Sequence, residues 1–201
     1  MVCFAWLEDQ ALVLRPIHRV VRYGALSKEA RRQQLERLCR LDPVADAAAA
    51  VAWLQANPRP GTFGYYEAGQ AYQVTVKPEI MAEWLAKPTV PFALAGLDVS
   101  VLHHLLLPGL TTEPSTPAAG HRASAGEGTA HDASQRIRYT PDVPEACNIV
   151  DSGESDAAWL LRPANLGQVY ALAEQGLTMP QKSTYFYPKL SSGLCVSSFG
   201  V

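Results

Sequence analysis

Residues 111–135 contain no Ile, Leu, Val, Met, Phe, Trp or Tyr. Ala, Ser, Thr, Gly and Pro dominate, with a few charges. Such a stretch cannot bury enough apolar surface to offset the entropy of ordering it. It reads as a disordered low-complexity insertion, and His121 and His131 inside it are poor catalytic candidates. The core must then come from 1–110 and 136–201 together, as one unit that leaves and rejoins the fold.

The rest of the chain has the material for that core. Of 201 residues, 48% are hydrophobic and only 18% charged, with a net charge of −2. A protein that chiefly grips the nucleic-acid backbone carries a basic surplus, so nucleic acid is not an expected partner. The cysteines Cys3, Cys39, Cys147 and Cys195 are far apart, without Cys-x-x-Cys spacing. They read as buried free thiols rather than a zinc site, which suits a cytoplasmic protein. No stretch reaches the length of a membrane span, and no signal peptide is evident. The chain opens directly in an apolar run, Met1-Val-Cys-Phe-Ala-Trp-Leu7, which points to truncation.

Local patterns alternate between strand and helix. Apolar runs at 2–7 and 11–14 suggest a hairpin, and 17–21 a further extended piece. Ser27 caps an expected helix to about Leu41, with Arg31, Arg32, Arg37 and Arg40 on a solvated face. Asp42-Pro43 begins the next element, an alanine-rich helix over 45–55. Residues 62–67 and 71–77 flank Ala68-Gly69-Gln70 as a hairpin. Pro78 opens a short helix. Residues 98–107 read as a helix holding His103 and His104, which point about 100° apart and cannot easily share a ligand. Residues 136–139 and 157–161 read as strands and 144–152 as a helix. Asn165 caps a last helix, with Val169, Leu172 and Ala173 facing the core. The fold class is α+β (mixed α/β), with short mixed or antiparallel sheets, packed helices and no Rossmann unit.

No Gly-x-Gly-x-x-Gly, Walker loop, His-Glu-x-x-His or Gly-x-Ser-x-Gly occurs. Three constellations remain. Lys182, Ser183 and Thr184 offer a cation, hydroxyls and backbone amides in the run Met179-Pro-Gln-Lys-Ser-Thr-Tyr-Phe-Tyr-Pro-Lys-Leu-Ser-Ser-Gly-Leu194, with Lys189 a second cation. That suits phosphate or carboxylate; the alternative is an edge strand whose Tyr185 and Tyr187 pack one face and Phe186 the other. His18 and Arg19 can bind an anion or relay a proton; the alternative is a structural histidine beside a salt-bridged arginine. The third, Asp151-Ser-Gly-Glu154-Ser-Asp156, lacks calcium-loop spacing and reads as a solvated acidic turn.

Six pieces in order carry a family resemblance: Leu14-Arg-Pro-Ile-His-Arg-Val-Val21, Leu97-Asp-Val-Ser-Val-Leu-His103, Arg136-Ile-Arg-Tyr-Thr140, Val150-Asp-Ser-Gly-Glu154, Trp159-Leu-Leu-Arg-Pro163 and Met179-Pro-Gln-Lys-Ser-Thr-Tyr-Phe-Tyr-Pro-Lys-Leu190. The chain resembles the C-terminal half of the bacterial and archaeal domain-of-unknown-function family 1015, which carries ParB-like descriptions. The resemblance implies a missing N-terminal half with an Asp-Gly-His-His-Arg-Tyr-like segment. It also implies a nucleotide- or phosphate-binding small-molecule phosphotransferase, free-serine-kinase-like, using a nucleotide with magnesium. His18 and Arg19 would flank its site. Lys182, Ser183, Thr184 and Lys189 would hold phosphate, and Tyr187 would contact the ligand. The competing readings are a ParB-like binding module with a basic face of Arg31, Arg32, Arg37 and Arg40, and a structural half-domain inactive alone.

Overall fold

The computed structural model describes residues 13–24, 26–110 and 136–187. Strands from both sides of 111–135 interleave in one six-stranded antiparallel sheet. They are β2 (His18–Val21), β3 (Cys39–Val44), β4 (Thr62–Glu67), β5 (Gln70–Val76), β6 (Ile137–Thr140) and β7 (Ala157–Leu160), in the order β3-β5-β4-β7-β2-β6. A separate two-stranded sheet joins β1 (Val13–Arg15) to β8 (Tyr185–Tyr187). The fold is α+β, and among the described residues every strand pair is antiparallel and there is no parallel βαβ unit.

The hairpin between β4 and β5 forms where the turn residues allow it. Ala68 and Gly69 both take positive φ, 50° and 77°, as a two-residue primed turn demands. Ser27 caps α1 (Lys28–Leu38) by accepting from the Ala30 amide. The expected continuation of α1 to Leu41 does not occur, because Cys39 to Leu41 pair with β5 as the start of β3. Pro43 lies inside β3 rather than opening a helix. It is tolerated because, among the described residues, β3 is an edge strand with no neighbour on its other side.

Helices cover both faces of the sheet. On one lie α2 (Ala47–Ala56) and α6 (Val143–Asp151), with Ala47, Ala50, Ala146 and Val150 packed on Val20, Ala158 and Leu160. A side chain at Gly64 would come within 3.0 Å of Leu160 Cβ and 3.3 Å of Ala50 Cβ. Glycine there lets the alanine-rich α2 settle close to the strands.

The larger core lies on the opposite face. Trp159 crosses Phe63 edge-on at 5.6 Å and Tyr65 at 4.9 Å, and its indole N–H donates to Tyr23 Oη at 2.7 Å. Leu35 of α1 and Trp84 of α3 (Pro78–Ala86) close this core. So do Leu97, Val101, Leu102 and Leu106. Between them the short α4 (Phe92–Ala95) leads to α5 (Asp98–Ser100), which widens into a π-helical stretch, Val101–Leu106, and ends in a 3-10 turn, Leu107–Gly109. The expected regular helix over 98–107 is therefore wound more loosely through His103 and His104.

The last helix, α7 (Leu166–Glu174), has a capping box. The Asn165 side chain accepts from the Gly167 amide at 2.7 Å, and Gln168 Oε1 accepts from the Asn165 amide. Only Leu172 of its expected core face is buried; Val169 is half-buried and Ala173 exposed.

Candidate anion site

Strand alternation sends His18 and Arg19 to opposite faces of the sheet. Arg19 shares the larger core's face and pairs in register with Trp159. His18 shares the face of Val20, under α6. The histidine and arginine therefore do not flank one ligand.

Each is buried, with 1% of its surface exposed. His18 Nδ1 accepts from the Leu161 amide at 3.2 Å, so its proton is assigned to Nε2, which has no partner among the described residues. Burial, reinforced by the charge of Arg19 and opposed by Asp142, lowers its pKa to about 4.

Arg19 is the more informative of the two. Its Nε donates to His103 Nε2 at 3.3 Å, Nη2 to the Lys182 carbonyl at 3.0 Å, and Nη1 to the Ile17 carbonyl. Tyr139 lies 5.6 Å from the guanidinium carbon. No carboxylate among the described residues pairs with it. Burial lowers its pKa to about 10, so it is still a cation at neutral pH. A buried cation without a counter-ion is costly unless something else answers its charge.

Arg19 lines a cavity of 240 Å³ together with Ile17, Asp98, Arg162, Asn165, Gln168 and Ser183. Ser183 reaches it from a tight turn in which Lys182 takes a positive φ of 56°. The Ser183 hydroxyl is buried and has no hydrogen-bond partner among the described residues. The first turn of α7, at Asn165 and Gln168, opens on the same space and adds the partial positive charge of a helix start.

The far wall is an ion pair. Arg162 donates to Asp98 Oδ2 from Nε at 3.2 Å and Nη2 at 2.6 Å, and to the carbonyls of Asn57 and Arg59. Asp98 Oδ1 accepts from the Gly61 amide at 3.1 Å. Burial raises the Asp98 pKa even though Arg162 pulls it down. This cluster ties the approach to β4 onto α5 and leaves Arg162 neutralised, unlike Arg19.

Of the seven residues expected to form a site, Arg19 and Ser183 line this cavity. Lys182 contributes its carbonyl to Arg19, while its side chain is exposed and does not line the cavity. Thr184 is half-buried and also outside the lining. Tyr187 is 45% exposed in β8, with the Arg15 guanidinium 4.2 Å from its ring centre. Lys189 lies outside the described residues, as do Cys3 and Cys195.

Of the arginines expected on a solvated face, Arg37 and Arg40 are exposed, Arg40 from β3 rather than α1, and Arg31 departs from the expectation. Arg31 is buried, bonding Glu67 at 2.9 Å and lying 3.7 Å from Asp156. Arg32 bonds Glu36, and Arg40 bonds Asp42. The acidic turn is solvated at Asp151 and Glu154, as expected, and is also tied to the fold. Asp151 accepts from Tyr66 Oη, Glu154 from Arg138, and Asp156 from the Tyr23 amide.

The sequence assigns no site role to His103, Asp98 or Arg162. Their partners lie between 37 and 105 positions away, so no local spacing marks them. The one signal was placement, since Leu97-Asp-Val-Ser-Val-Leu-His103 and Trp159-Leu-Leu-Arg-Pro163 hold all three.

No protein-family model and no curated protein matches the chain. Two solved structures are similar to it. A conserved hypothetical protein from Pyrococcus furiosus has a TM-score of 0.44 and 10% identity, covering 89% of this chain and 57% of that one. A free serine kinase in complex with AMP has a TM-score of 0.42 and 12% identity, covering 89% and 55%. The chain thus spans a little over half the length of each. Among the described residues no helix is long and apolar enough to cross a membrane.

Proposed function

We propose that the cavity beside β2 binds the phosphate or carboxylate of a small molecule, with Arg19 as its counter-ion. The observation that carries this is the buried Arg19 guanidinium, whose partners among the described residues are all neutral. It carries five N–H donors, of which these partners engage three. The Ser183 hydroxyl is a further buried group with no partner among the described residues, and a phosphate oxygen would satisfy it. At 240 Å³ the cavity is smaller than the roughly 300–1,000 Å³ of common ligand sites, so it suits a small acid or the phosphate end of a larger ligand.

The finer reading is a nucleotide-using small-molecule phosphotransferase, as the resemblance to the domain-of-unknown-function family 1015 implies. Phosphoryl transfer depends on positioning and charge neutralisation, which Arg19 and Ser183 can supply. Magnesium has no ligand set here: no group of three or more His, Cys, Asp or Glu among the described residues could hold a metal ion. The alternative binding module rests on a free basic face, and the carboxylates on Arg31, Arg32 and Arg40 favour the cavity over it.

The test is calorimetric titration with inorganic phosphate, AMP and ATP, on the wild-type chain and on Arg19→Met. Phosphate binds the wild type and raises its stability, by about 2.7 kcal/mol at a hundredfold excess over Kd. Arg19→Met abolishes binding and shifts stability by no more than about 1 kcal/mol, since removing an uncompensated charge offsets the loss of its three acceptors. A larger response to AMP or ATP than to phosphate supports the nucleotide part. No response of the wild type to any of the three sinks the anion site.

A further inference from the structure

We propose that His103 is the positioning residue of the anion site, a neutral acceptor that holds the Arg19 guanidinium in place without cancelling its charge. This rests on the anion-site reading above and names the residue that makes the site selective for anions.

Three features support it. The first is the bond itself. Arg19 Nε donates to His103 Nε2, which places the histidine's own proton on Nδ1. Nε is the one guanidinium nitrogen with a single hydrogen, so this contact fixes the rotation of the whole planar group. The forked end is left to the Ile17 and Lys182 carbonyls and to the cavity.

The second is local backbone. His103 lies within the π-helical stretch Val101–Leu106, where the Leu107 amide reaches back to the Leu102 carbonyl. The wider turn shifts the direction of every side chain after its start relative to a regular helix, and such turns concentrate at functional sites. His103 is half-buried against Arg19, whereas the adjacent His104 is exposed.

The third is the contrast with the molecule's other buried or nearly buried arginines. Arg31 is held by Glu67 and Arg162 by Asp98, each through a carboxylate that neutralises it. A carboxylate at position 103 would hold Arg19 equally well and occupy the role of the ligand. Burial first, then the nearby charges of Arg19 and His104, lower the His103 pKa to about 4, so it accepts this bond throughout the neutral range.

The experiment compares phosphate affinity and urea stability for wild type, His103→Gln, His103→Leu and His103→Glu. Gln is a neutral acceptor and is expected to keep affinity within about 3-fold; Leu, which cannot orient the guanidinium, weakens it about 10-fold. Glu supplies an internal counter-ion and weakens phosphate binding about 100-fold, while its stability stays at or above that of the Leu variant. A merely structural histidine predicts that affinity follows stability across the four proteins. Equal phosphate affinity for wild type and His103→Glu, or a Gln variant as weak as Glu, overturns the proposal. The ¹⁵N shifts of His103 separate this from failure of the anion site. If wild type ignores phosphate yet His103 shows an unprotonated Nε2 that Arg19→Met alters, the ligand assignment is wrong and the positioning contact stands. If the shifts show a protonated Nε2, the positioning role falls whatever phosphate does.

Discussion

Arg31 and Arg19 are both buried cations on the same side of one sheet, and they are treated in opposite ways. Arg31 donates to Glu67 at 2.9 Å and to the Leu26 carbonyl, with Asp156 at 3.7 Å and the Tyr23 ring 5.1 Å away. Burial works against its charge, yet the Glu67 bond and the Asp156 and Glu67 charges outweigh it and raise its pKa. Arg19 has a histidine and two carbonyls, and burial lowers its pKa. A group closed on itself serves the fold, whereas one left electrostatically open is suited to a ligand.

The largest test of that contrast is Glu67→Ala. It leaves Arg31 buried without its close counter-ion and is expected to cost about 3–5 kcal/mol in urea unfolding. Phosphate affinity at the cavity should not change once the protein is folded, because Arg31 does not line it. A cost below about 1 kcal/mol would mean that Asp156 alone satisfies Arg31, and the two arginines would then be less different than their distances suggest.

His18 sharpens the comparison from the other face. It answers burial by staying neutral, as its pKa of about 4 requires. The sign follows from proton uptake: between pH 6.5 and about 4 the unfolded chain binds the proton and the native chain does not. Stability from this group is complete above pH 6.5 and falls as pH drops to about 4, by up to ~3 kcal/mol. His103 titrates in the same direction, so His18→Gln should remove part of the slope and leave the rest. Urea midpoints at pH 7, 5.5 and 4.5 measure it, and an unchanged slope in the variant would place the effect outside His18.

These contrasts mark where the sequence stops being informative. Strands and helices were legible because their signals are local: the Ala68-Gly69 turn, the Ser27 and Asn165 caps, and Pro78 at a helix start. The overrun of α1 into Cys39 to Leu41 arose because those apolar residues suit a helix face and an edge strand equally, and only pairing with β5 decides. Arg19 and Ser183 could be singled out as residue types in exposed-looking segments. That His18 belongs to another layer follows from a period of two once the strand is granted. That Arg31 is consumed by Glu67 while Arg19 is not could not be read, since both outcomes depend on partners brought close by sheet order β3-β5-β4-β7-β2-β6. Charge in a sequence is visible; its neutralisation is a property of topology.

The smallest expected effect completes the series on α1 itself. Arg32 is one residue from Arg31 and points elsewhere, bonding Glu36 one turn on at 2.7 Å and lying 4.6 Å from the Tyr72 ring centre. Both partners of this ion pair are substantially in water, with 32% and 54% of their side-chain surfaces exposed. Water screens the pair, and an exposed pair at this spacing contributes about 0.3–0.5 kcal/mol. Arg32→Ala should therefore lower stability by roughly 0.5–1 kcal/mol once the ring contact is included, and the ion-pair part should fade between 0.05 and 0.5 M salt as the Debye length shrinks. Glu67→Ala should keep most of its cost across the same salt range, since its pair is buried. If the two variants respond to salt alike, burial is not what separates Arg31 from its neighbour, and the inference drawn from Arg19's isolation loses its reference point.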